Sequence, residues 1–365
     1  MIFIIIIVNV PRRAVKHGPR AVNASHTRTP ALARAVPRLY LPGTPGLRMS
    51  TVRAKPPRLL LPFALGIAIL AVSTASILIR LAQQEAPSIT IAALRLGLAT
   101  VFLAPLAIAR HREELRALAR QDLWLAALSG TFLALHFGTW ISSLEYTSVA
   151  SSVVLVSTGP LWVALLAPLF LGERLTGGTM LGLALAVVGG IIIAAGDTCA
   201  WVGGIRCPDL GKLPQSSSLW GNFLALAGAW AVSGYLILGR RLRATLSLVP
   251  YIFLVYGFAA LGLLASAVLT GSLVLALPPV TYGWIVLLAI VPQLIGHSTY
   301  NWALGYRPAA FVAITTLGEP VGSALLAYFV LDERPGAFVL GGAVFILAGI
   351  LLAARGTRIA DGAAT

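Results

Sequence analysis

The chemistry-bearing residues of this chain sit inside apolar stretches. Glu319 precedes Pro320 within a long apolar run, with Thr315 and Thr316 one turn earlier. Proline has no N–H and leaves a carbonyl one turn back without its donor. Two readings of Glu319 follow. A protonated carboxyl could satisfy that carbonyl locally, or the carboxyl could face a cavity and exchange a proton. Gln293, His297 and Asn301 are spaced i, i+4, i+8, which puts them on one face of an α-helix, with Tyr300 beside them. Ser129, His136, Trp140 and Ser143 form a similar stripe about 160 residues earlier. Two such stripes suggest one shared polar cavity; the alternative is that each hydrogen-bonds to neighbouring helices. The mixture of aromatic, amide, imidazole and carboxyl groups suits amino acids, other small zwitterions and amphiphilic metabolites.

Other charges have simpler roles. Arg95 lies a few residues into an apolar run. It could pair with an anion or with Glu319, but a structural role, bonding backbone carbonyls or snorkelling to the run's edge, is the expectation. Arg80, at a run's end, is expected to snorkel. Glu173-Arg174 and Glu333-Arg334 close two runs and are read as anchors of helix ends, with gating as the alternative. Only two cysteines occur, Cys199 and Cys207, in a stretch that could carry a disulfide or two free thiols. No HExxH motif, phosphate-cradling loop or cysteine-rich cluster is present, so no metal or cofactor is expected. An enzyme built from His136, His297 and Glu319 is the main rival reading, weakened by how few such groups exist.

These groups must be positioned by elements that live in lipid. Hydrophobic residues make up 58% of 365 and charged residues 11%, with a mean hydropathy of +0.88. Soluble domains carry about 25% charged residues. The net charge of +15 does not indicate nucleic-acid binding. Residues 1–58 hold eleven of the basic residues and no acid, without the interleaved aromatics of a stacking platform. This basic tail is expected to be disordered. Residues 1–48 could lie upstream of the physiological start, since Met49 opens a short basic lead into the first long apolar run.

Apolar runs near 60–81, 88–109, 122–143, 148–171 and 177–195, and again near 219–239, 247–269, 282–304, 309–331 and 336–355, each reach the length of about 20 residues that crosses a bilayer. The expectation is an all-α integral membrane protein with ten transmembrane helices in two inverted five-helix repeats. Its parts are the tail 1–58, a first repeat over 59–195, an extracytoplasmic linker over 196–218, a second repeat over 219–357 and a tail over 358–365. Short loops with Arg110, Arg112, Arg116 and Arg120, and with Arg240, Arg241 and Arg243, fall on the side of both termini, which the positive-inside rule makes cytoplasmic.

A shift of 160 residues overlays the halves. Pro160 meets Pro320, Glu173-Arg174 meets Glu333-Arg334, and Gly182 and Gly189 meet Gly342 and Gly349. A five-span unit is odd, so the second copy must be inverted, a recurrent transporter design. The segment TGPLWVALLAPLFLGERL at 158–175 and its partner GEPVGSALLAYFVLDER at 318–334 resemble the paired segments of the EamA family of the drug/metabolite transporter superfamily. The resemblance covers about 59–357. It implies ten helices, cytoplasmic termini in a bacterial inner (plasma) membrane, and alternating access for a small metabolite, with export as the family expectation. Protons are a candidate coupling ion; a channel or scaffold is the further alternative. Gly159 stands opposite Glu319, so any acidic site is asymmetric.

Overall fold

A computed structural model describes residues 57, 59–171, 177–195, 200–201, 204–206 and 217–362. The basic tail, Glu173, Arg174, Cys199 and Cys207 lie outside the described residues. The first half contains α1 (Leu60–Ser73), α2 (Ala75–Ala82), α3 (Ser88–Arg110), the short α4 (Arg112–Arg116), α5 (Arg120–Tyr146), α6 (Val149–Val156), α7 (Gly159–Leu171) and α8 (Gly177–Ala195). Two-residue strands β1 (Ala200–Trp201) and β2 (Ile205–Arg206) pair antiparallel between the halves. The second half contains α9 (Ser217–Thr245), α10 (Leu248–Leu269), α11 (Pro279–Leu288), a π-helical segment π1 (Ala289–His297), α12 (Ser298–Ala303), α13 (Ala309–Thr315), α14 (Gly318–Leu331) and α15 (Ala337–Gly362).

Among the described residues, eight helical segments are long and apolar enough to cross a membrane. Stretches within α8 and α15, Met180–Ile193 and Ala337–Gly349, are apolar but shorter. The difference from ten expected spans lies in these two. The α5 and α9 helices run past their apolar stretches, so Arg240, Arg241 and Arg243 belong to the last turns of α9 rather than to a loop.

Burial runs opposite to that of a water-soluble protein. Phe63, Leu70, Val101, Phe170 and Phe329 are exposed, whereas Arg95, Ser129, Gln293 and Asn301 have no accessible surface. With lipid outside and polar side chains inside, each helix satisfies its own backbone and turns its polar stripe inward. This is an integral membrane protein.

The α8 and α15 helices meet backbone to backbone. A Cβ added at Gly189 would lie 2.6 Å from the Gly342 carbonyl oxygen, and one at Gly349 would lie 2.5 Å from the Gly182 carbonyl oxygen. The pairing order, 189 with 342 and 182 with 349, makes the two helices antiparallel. Small residues permit this approach because no side chain intervenes. Gly189→Ala should therefore destabilise the protein by about 1–3 kcal/mol through overpacking. Gly66 has nothing within 4 Å of an added Cβ, so Gly66→Ala should instead stabilise helix α1 by up to about 1 kcal/mol. Thermal unfolding of the purified variants in detergent checks the opposite signs, and equal effects would refute the backbone contact.

Candidate functional site

Two spans are broken at matching places. In the span Val149–Leu166 α6 gives way to α7 across Ser157 and Thr158; in the span Ala309–Leu331 α13 gives way to α14 across Thr316 and Leu317, within one residue of the same place under the 160-residue shift. Proline explains both. Pro160 is the second residue of α7 and Pro320 the third of α14, first-turn positions where a missing N–H is tolerated. The turn before each proline tightens. Leu161 N donates to the Thr158 carbonyl at 2.9 Å, and Glu319 N donates to the Thr316 carbonyl at 2.9 Å. The carbonyl freed by Pro320 is thus met by the backbone N–H of Glu319. The Glu319 carboxyl makes no hydrogen bond among the described residues.

Both breaks face one cavity of about 60 Å³. Of the residues singled out in the sequence, His136, Trp140, His297, Tyr300, Thr316 and Glu319 line it, and Pro160 joins them. Glu319 is partly accessible and lies in the first turn of α14, where the helix dipole favours negative charge. His136 Nδ1 lies 2.9 Å from the Gly228 carbonyl oxygen. A carbonyl only accepts, so Nδ1 carries the proton and the neutral ring keeps Nε2 as an acceptor. The His136 and Trp140 rings stack at 5.9 Å. Trp140 and Tyr300 are 2% and 4% exposed, and neither Trp140 Nε1 nor Tyr300 Oη has a hydrogen-bond partner among the described residues.

Other sequence candidates lie elsewhere. Gln293 and Asn301 do not share the cavity surface with His297. Gln293 Oε1 accepts from Arg95 Nε at 3.0 Å. Asn301 accepts from Tyr235 Oη at 2.6 Å and donates to Tyr256 Oη at 3.1 Å. Gln293 and His297 both lie in 289–297, which winds as a π-helix with i→i+5 bonds rather than as the α-helix the spacing assumed. Pro292 lies inside that segment, and its lost N–H and bulky ring account for the wide winding. Thr315 turns its hydroxyl back to the Val312 carbonyl at 2.6 Å. Ser143 bonds Ser152 at 2.6 Å.

Arg95 does not snorkel. It is fully buried, and its guanidinium carbon sits 4.2 Å from the Phe137 ring centroid. Arg80 is also held rather than snorkelling. Its Nη2 donates to Glu333 Oε1 at 2.9 Å and to the Thr147 carbonyl at 3.3 Å. Glu333 Oε2 accepts from Val149 N, at the start of α6, at 2.9 Å. One carboxylate of the second half thus ties two elements of the first. This clasp borders a second, open cavity of about 490 Å³, shared with Gln83, Gln84 and Glu145. Arg334 is exposed and lies 3.9 Å from Asp332. Asp332 takes a left-handed conformation with φ 52° at the C-cap of α14, the position occupied by Gly172 in the first half's sequence.

The sequence reading missed Tyr235, Ser157 and Gly159, which also line the small cavity. Gly159 could have been found from the repeat, because it is the counterpart of Glu319. Tyr235 carries no such signal. No cluster of three or more His, Cys, Asp or Glu that could hold a metal occurs among the described residues.

Comparison with known proteins agrees with this architecture. The chain is 26% identical over 279 residues to a Streptantibioticus cattleyicolor protein named a probable terminal-alkyne amino-acid exporter, covering 73% of this chain and 85% of that protein. It is 25% identical over 295 residues to the pseudopaline exporter of Pseudomonas aeruginosa, covering 79% and 95%. An uncharacterized transporter of Archaeoglobus fulgidus is 24% identical over 241 residues, covering 66% and 80%. A crystal structure with a TM-score of 0.57 and 20% identity covers 85% of this chain and all of its own, and so shares the fold. The EamA-like transporter family matches twice, over residues 61–195 and 219–355. With both halves matched, helices suited to lipid and a cavity between the halves that holds His136, His297 and Glu319, the chain is a membrane transporter and belongs to the EamA-like transporter family.

Proposed function

We propose that this protein exports a small zwitterionic or amphiphilic metabolite, of the amino-acid class or related to it, by alternating access of two inverted five-helix halves in a bacterial inner membrane. The observation that carries this reading is the pair of broken spans, whose breaks face one cavity and match to within one residue between the two halves. Half-helix ends at a cavity between repeats are the recurrent substrate and ion site of secondary transporters. The antiparallel order of the α8–α15 glycine pairs supports the inversion. The pair 189–342 maps onto 349–182 under the 160-residue shift, as a two-fold axis between the halves requires.

In this reading, 59–195 and 219–357 are the moving halves, 196–218 is an extracytoplasmic linker, and both termini are cytoplasmic. The cavity of about 60 Å³ is well below the roughly 300–1,000 Å³ of pockets that hold small molecules. A metabolite therefore needs the halves to part. His136, Trp140, His297, Tyr300 and Thr316 form the walls it meets, and Glu319 is the group that exchanges a proton with the substrate pathway. Gln293 and Asn301 support the wall from behind. The names of two relatives as exporters of an amino acid and of pseudopaline support the direction and the class.

The test is flux in proteoliposomes loaded with a panel of amino acids and small metabolites, with and without a pH gradient. Saturable movement with counterflow of one chemical class is expected. Non-saturating leak would indicate a channel. A chemically altered product would indicate an enzyme. No movement above empty liposomes by folded protein would overturn the carrier reading.

A further inference from the structure

Arg95 is placed where a charge is costly to leave alone. It has no accessible surface, and only Nε is engaged, by Gln293 Oε1. Both terminal nitrogens, Nη1 and Nη2, lack a hydrogen-bond partner among the described residues. The remaining contact is the face of Phe137, a cation–π arrangement that offsets part of the desolvation cost. A guanidinium in low dielectric demands more than one amide and one ring. Its fork of donors is shaped for a carboxylate, taken through two parallel N–H···O bonds.

The surroundings show where such a carboxylate would come from. The Phe137 ring that covers Arg95 packs against the cavity wall, 4.8 Å from His136, 5.2 Å from His297 and 6.2 Å from Trp140, all between ring centroids. The guanidinium is therefore one aromatic layer behind the cavity lining. Trp140 Nε1, in that lining, is a second donor without an acceptor. No carboxylate of the described residues forms an ion pair with Arg95. The carboxyl that lines the cavity, Glu319, enters from α14, which packs on α1, α2 and α6, whereas Arg95 enters from α3, which packs chiefly on α5, α10 and π1. Glu319 thus faces the cavity, and Arg95 stands behind its lining.

We propose that Arg95 is the receptor for the carboxylate of the transported compound, reached when the Phe137 ring swings off the guanidinium as the halves part, with Trp140 Nε1 as an auxiliary donor. This rests on the carrier reading above and narrows it. The substrate must carry a free carboxylate, and compounds with only an ammonium group are excluded. Phe137 serves as the cover that holds Arg95 in the empty state.

The test uses the full-length protein in proteoliposomes preloaded with an L-amino acid that the panel shows to move. At pH 6, its uptake in counterflow is competed by three matched sets: L-phenylalanine, L-leucine and L-methionine, each as the free acid, the primary amide and the decarboxylated amine. The α-amino group, which titrates near about 7.7–8.0, stays charged at this pH. The free acids of at least one set should compete at least tenfold better than their amides and amines in the wild type. Arg95→Gln should erase that preference while Arg95→Lys retains part of it. Equal competition by acid and amide in the wild type overturns the inference and leaves the carrier reading standing, and this comparison needs no variant to fold. An acid preference that survives intact in folded Arg95→Gln also overturns it. If no amino acid moves at all, the carrier reading for this class falls, and the inference falls with it.

Discussion

Glu319→Gln should abolish the response of transport to a pH gradient while leaving counterflow exchange in place. Glutamine keeps the size and shape of the side chain, so packing at the start of α14 is retained. The carboxyl makes no hydrogen bond that the substitution would break, and the backbone N–H of residue 319 still meets the Thr316 carbonyl. What is lost is the ability to carry a proton between the two sides. A gradient of one pH unit is worth about 1.4 kcal/mol per proton, a tenfold accumulation. Wild-type vesicles under that gradient should therefore accumulate substrate about tenfold per coupled proton, and Glu319→Gln vesicles should reach only equal concentrations. Counterflow needs no net proton movement and should persist within a few-fold. Full gradient-driven accumulation by Glu319→Gln would remove the proton role from this residue.

A second large effect is expected at the clasp between the halves. Glu333 holds Arg80 with one oxygen and the Val149 N–H with the other, so its loss removes the counter-charge of Arg80, which keeps only the Thr147 carbonyl, and frees a helix-start donor as well. Arg80→Ala leaves the Val149 contact standing. Glu333→Ala should therefore be the more damaging change. Each lost hydrogen bond to a charged group is worth about 1.5–3 kcal/mol, a shift of roughly ten- to a hundredfold between open and closed forms. Exchanging the two residues, Arg80→Glu with Glu333→Arg, restores the ion pair but sets a cation against the N-terminus of α6, where the dipole disfavours it. The swap should recover transport only partly. Flux together with thiol labelling of a cysteine placed at Gln83, beside the open cavity, reads the outcome. Full recovery in the swap would reduce the clasp to a simple ion pair. Equal effects of the two alanine variants would remove the contact to α6 from the account.

Much of this was readable in the residues themselves. Composition specified lipid as the solvent, and eight of the ten apolar runs coincide with helical segments long and apolar enough to cross a membrane. Pro160 and Pro320, matched by the repeat, marked the two breaks, because a residue that cannot donate must sit at a helix start or in a kink. His136, Trp140, His297, Tyr300 and Glu319 meet at one cavity because polar groups inside apolar helices have few other places to go. Other features depended on contacts that a sequence does not display. The α period was assumed through 289–297, and the wider winding around Pro292 is not announced by the spacing of Gln293 and His297. Arg80 and Glu333 are 253 residues apart, and each alone looks like an ordinary charge at a helix end. Arg95 near a span's edge invites snorkelling by its position, yet its neighbours on α5 and π1 close over it. Tyr235 reaches the cavity only because α9 packs along α5, a pairing that no local pattern in α9 announces.

The glycine seam between α8 and α15 has a mechanical consequence. Side-chain interfaces can slide because rotamers readjust, but two backbones in direct contact have nothing to readjust. Where Gly189 meets Gly342 and Gly349 meets Gly182, relative translation would separate the chains or drive carbonyls into Cα atoms. Rotation about the contact leaves it nearly unchanged. Under the alternating access proposed above, the seam would serve as a pivot bearing, tolerant of rocking and intolerant of shear, and the helices that line the cavity would swing around it as lever arms.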